Sequence, residues 1–120
     1  MEHVSLLWAE RPDGEVWLER RPAAGVWGGL YCFPVFDSDD ALLARLPQPL
    51  RDRVTYLPPL KHVLTHKDMH LSPVIAGFSA HQKMPLADDV TGGWFLTDEW
   101  PELGLPAPIR KLLENTPDRY

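Results

Sequence analysis

The stretch Leu60-Lys61-His62-Val63-Leu64-Thr65-His66-Lys67-Asp68-Met69-His70-Leu71 gives the clearest fold signal in this chain of 120 residues. Its valine, leucine and threonine content favours β-structure. The polar pair Lys67-Asp68 interrupts the apolar run, as a turn between two strands does. We therefore predict that residues 60–66 and 69–80 form a β-hairpin.

Three histidines in this stretch are spaced four residues apart: His62, His66 and His70. On a helix this spacing places side chains on one face, where they can bind a metal. On a strand the imidazoles do not converge in that way, and no cysteine or carboxylate set accompanies them as in zinc sites. We favour hydrogen-bonded histidines over a zinc site and predict no metal in this chain.

The residues that could act as nucleophiles lack suitable partners. Thr65 and His66 are adjacent on a predicted strand, so their side chains point to opposite faces. Cys32 is the single cysteine; it lies in an apolar run, which indicates a buried, inert thiol in a reducing, cytoplasmic environment. We predict no catalytic residue in this chain.

The other elements read from the sequence are mixed, and they predict an α+β domain spanning residues 1–120. A Pro-Asp-Gly turn joins two short apolar runs into a first hairpin. Acidic and hydroxyl residues before an Ala/Leu run predict a capped helix. The predicted strands are 3–9, 15–19, 30–36 with a bulge or edge at Pro34, a brief one at 54–57, and 92–96; the predicted helices are 41–46 and 107–115.

Charge and aromatic content bear on possible ligands. The formal net charge is −5, yet residues 41–87 hold six basic and two acidic side chains, so this segment carries +4 and the remainder −9. Such a segment can face a polyanion or simply be solvated, and composition leaves both open. Among five tryptophans, Trp27 lies in a glycine-rich loop, and we single it out as a surface or ligand contact. No run is long and apolar enough for a membrane span.

Three segments resemble the C-terminal domain of MutY-type adenine DNA glycosylases. Residues 20–34, RRPAAGVWGGLYCFP, are similar to that family's R-P-x-x-G-L-W-G-G-L-W/Y-x-F-P run. Residues 62–66, HVLTH, are similar to its H-x-F-S-H segment. Trp94-Phe95, followed by residues 104–109, is similar to its closing aromatic strand and G-L-P-x-P-V helix entry. The resemblance runs in order through nearly the whole chain.

The resemblance implies a Nudix-like mixed β-sheet with flanking helices. Nudix hydrolases carry an R-E-x-x-E-E helix whose carboxylates hold a divalent metal on a pyrophosphate. The corresponding residues 37–45 offer Asp37, Asp39 and Asp40 near the helix start, without that helical spacing. The family's catalytic carboxylates and four-cysteine 4Fe–4S cluster lie in an N-terminal domain, so we expect no cofactor in this chain and no catalysis by it alone.

By the same resemblance, the partners are the N-terminal catalytic domain of the same protein and double-stranded DNA with an 8-oxoguanine:adenine mispair. Thr65 would read the altered purine edge beside Leu64, an apolar wedge. His66 would donate to a phosphate or support the loop, and Lys61 and Lys67 would add phosphate contacts that carry no sequence information. Trp27 is the remaining candidate contact to DNA. The family often has Phe and Ser where Leu64 and Thr65 stand.

Two other functions remain open from the sequence. A free-standing Nudix hydrolase of oxidised nucleotides would release pyrophosphate in the presence of magnesium. A protein-docking module would use a patch of exposed tryptophans. The leading interpretation is a lesion-recognition domain of an adenine glycosylase.

Overall fold

The computed structural model describes residues 2–23, 27–63, 68–80 and 91–114. One mixed sheet contains all eight described strands, and helices lie against both of its faces. The strands are β1 (Glu2–Glu10), β2 (Val16–Arg20), β3 (Tyr31–Cys32), β4 (Val35–Phe36), β5 (Thr55–Tyr56), β6 (Leu60–Val63), β7 (Asp68–Gly77) and β8 (Gly92–Phe95). The helices are α1 (Asp39–Ala44), α2 (Gln48–Arg51) and α3 (Ala107–Glu114), with a 3-10 turn at Trp100–Glu102.

Strands β1 and β7 form the centre of the sheet. They run parallel in a register that pairs Glu2 with Met69 and Glu10 with Gly77. Both strands are buried along most of their length, as expected for parallel strands covered on both faces. This pairing joins residues almost seventy positions apart, so it fixes the fold more than any local turn does.

The predicted first hairpin is confirmed. Strand β2 runs antiparallel to β1 from the pair Glu10 and Val16. Gly14 adopts a positive φ of 95°, and its N–H donates to the Arg11 carbonyl at 3.0 Å. Glycine suits this position because it has no Cβ to oppose the left-handed conformation.

The strand predicted over residues 30–36 is divided by Pro34, as the sequence indicated. β3 pairs with β2, whereas β4 pairs with β1. Between them the Pro34 carbonyl accepts a hydrogen bond from the Leu7 N–H at 3.0 Å. Residues 31–36 therefore lie between β1 and β2 at the end where those two strands no longer pair with each other.

The outer neighbour of β7 is made of two short strands. β5 and β6 both pair antiparallel with β7, and Pro58 and Pro59 lie between them. Proline has no N–H to donate to a ladder, which explains why the edge is interrupted. Along the other side of β5 and β6, the described residues provide no further strand.

The predicted second hairpin is confirmed in its pairing and corrected in its turn. Val63 pairs with Asp68 at the end of the β6–β7 ladder. Asp68 is thus the first residue of β7, whereas the sequence predicted that it belongs to the turn with Lys67. Residues 64–67 connect the two strands and lie outside the described part of the chain.

The helices match the prediction in two of three cases. α1 begins earlier than predicted, and the Ser38 hydroxyl accepts from the Ala41 N–H at 3.1 Å as an N-cap. α3 was predicted with its buried stripe. The short helix α2 was missed, because residues 47–59 were expected to hold at most a brief strand. Its prolines stand at the helix start, where a missing N–H costs little.

Two apolar clusters cover the two faces of the sheet. The first includes Trp8, Phe33 and Ile109 and lies between the sheet and α3. The second includes Leu42, Leu46 and Leu50 of the α1–α2 segment. The predicted α+β class with flanking helices is confirmed. None of the helices in the described ranges has the length and apolar character needed to cross a lipid bilayer.

Candidate nucleic-acid interface

Four of the six predicted site residues fall outside the described part of the chain: Leu64, Thr65, His66 and Lys67. What the structure describes is the base from which they extend. The ladder of β6 and β7 is regular from Leu60 and Leu71 to Val63 and Asp68. Val63 is two-thirds exposed, so the ladder reaches the protein surface at the point where residues 64–67 begin.

Lys61 lies on the surface of β6. Its Nζ is 3.3 Å from an Asp68 carboxylate oxygen, and both side chains are substantially exposed. An exposed ion pair of this kind contributes little to stability. The ammonium group of Lys61 is therefore accessible to an anionic ligand.

Trp27 has an unusual backbone conformation. It is the one non-glycine residue with positive φ, at 58°, in the described ranges. Its ring centroid lies 5.8 Å from that of His62 on β6, and its side chain packs partly buried against the first apolar cluster. The tryptophan selected from the sequence is thus half-buried and contacts the base of the hairpin.

The loop that carries Trp27 is tightly folded. A Cβ on Gly28 would lie 2.2 Å from the Ala23 carbonyl oxygen. Gly29 has a φ of 79°, and its N–H donates to the Arg21 carbonyl at 3.2 Å. Both glycines are required by geometry, one by close approach and one by conformation.

The two described histidines of the hairpin, His62 and His70, do not converge. His62 pairs with Met69, and His70 pairs with Lys61, so His62 and His70 point to opposite faces of the sheet. The hydrogen bond expected for His70 is absent at its Nε2, which is buried without a partner in the described residues. Within those residues no group of three His, Cys, Asp or Glu side chains is arranged to hold a metal.

Two carboxylates, Asp39 at the start of α1 and Glu19 on β2, are each held by a hydrogen bond instead of being grouped around a metal position. Asp39 accepts a hydrogen bond from the fully buried Ser5 hydroxyl. Glu19 on β2 accepts from the Trp17 indole N–H at 3.1 Å, and burial raises the pKa of its carboxyl despite the nearby Arg21 and Arg45. These carboxylates are held by protein donors on separate elements.

Cys32 is fully buried, and burial raises the pKa of its thiol to about 12. A thiol that stays protonated is a poor nucleophile and a poor metal ligand. Since it is also the only cysteine of the chain, these residues do not fit a four-cysteine iron–sulfur cluster.

Sequence reasoning missed a groove beside the hairpin. Its volume is about 540 Å³, and one wall is β6 while the other is α3. The stripe of Ile109, Leu112 and Leu113 that the sequence predicted faces the core. Lys111 lies between these residues and therefore faces outward. This spacing is the sequence signal that could have indicated a charged wall on α3. The groove is lined by Leu60, Lys61, His62, Ala107, Pro108, Arg110, Lys111 and Glu114.

Comparison with known proteins agrees with this architecture. Residues 5–115 match the family model described as NUDIX domain. An adenine DNA glycosylase of Buchnera aphidicola subsp. Schizaphis graminum is 24% identical over 105 residues, covering 85% of this chain and 30% of that protein. The glycosylase of subsp. Baizongia pistaciae is 26% identical over 106 residues, covering 82% of this chain and 28% of that protein. The chain thus spans under a third of the length of these relatives.

Solved structures share the fold. The C-terminal domain of mouse MUTYH, in a complex with human PCNA, has a TM-score of 0.75 at 17% identity, covering 95% of this chain and 86% of that one. A MutT NUDIX hydrolase from Burkholderia pseudomallei has a TM-score of 0.67 at 20% identity, covering 96% and 97%. The chain therefore belongs to the NUDIX domain family, and it is similar to adenine DNA glycosylases and, in fold, to the C-terminal domain of mouse MUTYH.

Proposed function

We propose that this chain is the DNA-lesion recognition domain of an A/G-specific adenine DNA glycosylase, and that it reads 8-oxoguanine opposite adenine in base excision repair. The observation that carries the proposal is the regular β6–β7 ladder, which contains Lys61 and His62 and ends at the exposed Val63, the residue that precedes residues 64–67 in the chain. The similarity to adenine DNA glycosylases supports it.

The proposed readout depends on one hydroxyl. Oxidation of guanine converts N7 from a hydrogen-bond acceptor to an N–H donor and adds a carbonyl at C8. The hydroxyl of Thr65 can both donate and accept, so it can pair with the oxidised edge. Guanine offers no matching N–H, and a site built around that pairing discriminates against it.

The neighbouring residues have supporting roles in this proposal. Leu64 acts as an apolar wedge that partly unstacks the base. Lys61, Lys67 and His66 contact phosphates, which fix position and carry no sequence information. Leucine has no aromatic face for stacking, so the wedge contributes less here than the phenylalanine often found in the family.

In this proposal the domain itself catalyses no reaction. Base excision is assigned to an N-terminal catalytic domain of the same protein, which would also carry the 4Fe–4S cluster. The described carboxylates support this division of labour, because Asp39 and Glu19 are held by Ser5 and Trp17 rather than grouped around an open metal position. Double-stranded DNA with the mispair is the proposed ligand.

The proposal is tested by the lesion preference of Thr65→Ala. Binding to matched duplexes with 8-oxoguanine:A and G:A pairs is measured by fluorescence anisotropy, with the full-length glycosylase and with this chain. We expect Thr65→Ala to lower the preference by about 1–3 kcal/mol, the cost of leaving a polar group unpaired. Thr65→Ser should retain it, since the hydroxyl is kept.

A matched control is Thr55→Ala, which removes an exposed strand threonine on β5. It should leave the preference unchanged. Equal preference in Thr65→Ala and the parent protein would refute the assigned role. Magnesium-dependent release of pyrophosphate from 8-oxo-dGTP would instead identify a Nudix hydrolase. Binding of a protein partner that does not depend on DNA would favour a protein-docking module.

A further inference from the structure

We infer that the groove between β6 and α3 binds the sugar–phosphate backbone of the duplex, with Lys111 as its main contact. This deepens the proposed function and rests on it in one respect: the duplex is taken to lie against the β6–β7 hairpin. Three residues of β6 line the groove, Leu60, Lys61 and His62, and Val63 alone separates them from residues 64–67 in the chain. In this proposal the duplex also runs along the groove.

The charge in the groove favours an anion. Three cationic side chains line it, Lys61, Arg110 and Lys111, against the carboxylate of Glu114. Lys61 is paired with Asp68 at 3.3 Å, so the net excess is one positive charge, carried by α3. The whole chain carries −5, so this excess of positive charge is local. Clefts lined by one sign of charge concentrate the field and attract ligands of the opposite sign.

The cations of α3 are not neutralised by carboxylates in the described part of the chain. Arg110 donates to the Leu103 carbonyl at 3.0 Å and to the Pro101 carbonyl at 3.4 Å. These acceptors are uncharged, so the guanidinium is fixed in place with its charge intact. Lys111 is exposed and forms no ion pair with any described residue.

The shape and the remaining walls fit a backbone rather than a compact anion. The groove is open, its volume is about 540 Å³, and Leu60, Ala107 and Pro108 provide an apolar wall. A sugar–phosphate chain alternates apolar sugar surface with charged phosphate. Phosphate contacts of this kind supply affinity and register without reading bases.

The test compares Lys111→Glu with Arg53→Glu, which makes the same charge change beside α2. Helix α2 packs on the other face of the sheet. Anisotropy titrations use this chain with labelled duplexes containing 8-oxoguanine:A or G:A, at several salt concentrations. We expect Lys111→Glu to weaken binding of both duplexes equally, by roughly tenfold at low salt, and to reduce the salt slope by about 1. Arg53→Glu should change affinity by less than about twofold.

A second variant guards against a folding effect. Glutamate in the last turn of a helix opposes the helix dipole, so Lys111→Gln is measured as well, with thermal unfolding of each variant. We expect Lys111→Gln to show a smaller loss of affinity, roughly threefold, with the same reduced slope.

Three results would overturn the inference. These are equal losses in Lys111→Glu and Arg53→Glu, an unchanged salt slope, or no duplex binding by this chain at low salt. Lys111-dependent binding of poly-glutamate without DNA binding would assign the groove to an acidic protein instead. The two proposals can fail separately. If Lys111→Glu weakens binding of both duplexes equally and Thr65→Ala leaves the preference for 8-oxoguanine unchanged, the groove binds the backbone but Thr65 does not read the lesion.

Discussion

Trp27 contacts His62 from a backbone in the left-handed conformation. The ring centroids are 5.8 Å apart, and the φ of Trp27 is 58°. For an L-residue this conformation costs roughly 1–2 kcal/mol. Strain of this size persists only where surrounding contacts fix it, and here the contacts tie the glycine-rich loop to the base of the hairpin.

Replacing Trp27 tests this strain directly. Trp27→Ala and Trp27→Gly remove the same packing, but only glycine relieves the backbone. We expect Trp27→Gly to be more stable than Trp27→Ala by about 1 kcal/mol, which reverses the usual order of the two residues. Urea unfolding measures the difference. Ala41→Gly in helix α1 is the control and should cost about 0.5–1 kcal/mol. An alanine variant at residue 27 more stable than the glycine variant would show that the strain is absent.

Gly28 should tolerate no side chain. In Gly28→Ala the new Cβ would lie 2.2 Å from the Ala23 carbonyl oxygen, which is a backbone atom and not the end of a flexible side chain. We expect a loss of roughly 1–3 kcal/mol in the free energy of unfolding. Gly77→Ala is the matched control, since a Cβ there has no atom within 4 Å. Similar stabilities for the two variants would contradict the tight loop.

Stability should fall as pH rises through the range in which Glu10 ionises. Glu10 is 4% exposed, and burial raises its pKa from 4.5 to about 7. As the pH rises, the unfolded chain therefore loses the Glu10 proton at a lower pH than the folded chain does. The contribution of Glu10 to the free energy of unfolding is fully present below about pH 4.5 and is lost as the pH rises to about 7. The total change is at most about 3 kcal/mol.

The substitution Glu10→Gln should remove that part of the pH dependence. Chemical unfolding at a series of pH values between 4.5 and 8 measures it, with Glu102→Gln as a variant that removes an exposed carboxyl instead. We expect the glutamine variant to be the more stable protein at about pH 8. A pH profile in Glu10→Gln that is parallel to the parent profile would show that another group is responsible.

Cys32 should be unreactive in the native protein. Its thiol is buried, with a pKa of about 12, and alkylation requires the thiolate. We expect iodoacetamide at about pH 8 to modify Cys32 only after addition of denaturant, at a rate set by unfolding. Mass spectrometry follows the modification. Rapid labelling without denaturant would place the thiol at the surface.

The sequence predicted well those features that depend on neighbours in the chain. The turn ending at Gly14, the Ser38 cap and the interruption at Pro34 each follow from the chemistry of one or two residues. The wrong turn position at Lys67-Asp68 shows the limit of that reasoning. The polar pair marks a turn, but Asp68 is retained in β7 by its pairing with Val63, which composition does not reveal.

Features that depend on distant residues could not be predicted. The parallel pairing of β1 with β7 follows from burial of both strands on both faces, and no local pattern specifies it. The groove is a similar case, because Lys61 and Lys111 are far apart in the chain and meet only through the packing of α3 on the sheet. The contacts of Thr65 remain a prediction, since that residue lies outside the described ranges.

The paired prolines between β5 and β6 have a consequence for the behaviour of the protein at high concentration. An edge strand normally offers a row of amide groups to which another polypeptide can bond, and this is a common route to aggregation. Pro58 and Pro59 remove two consecutive donors in the middle of that row. Each remaining strand is short, with two residues in β5 and four in β6. The edge nearest the proposed DNA surface is thereby a poor template for self-association.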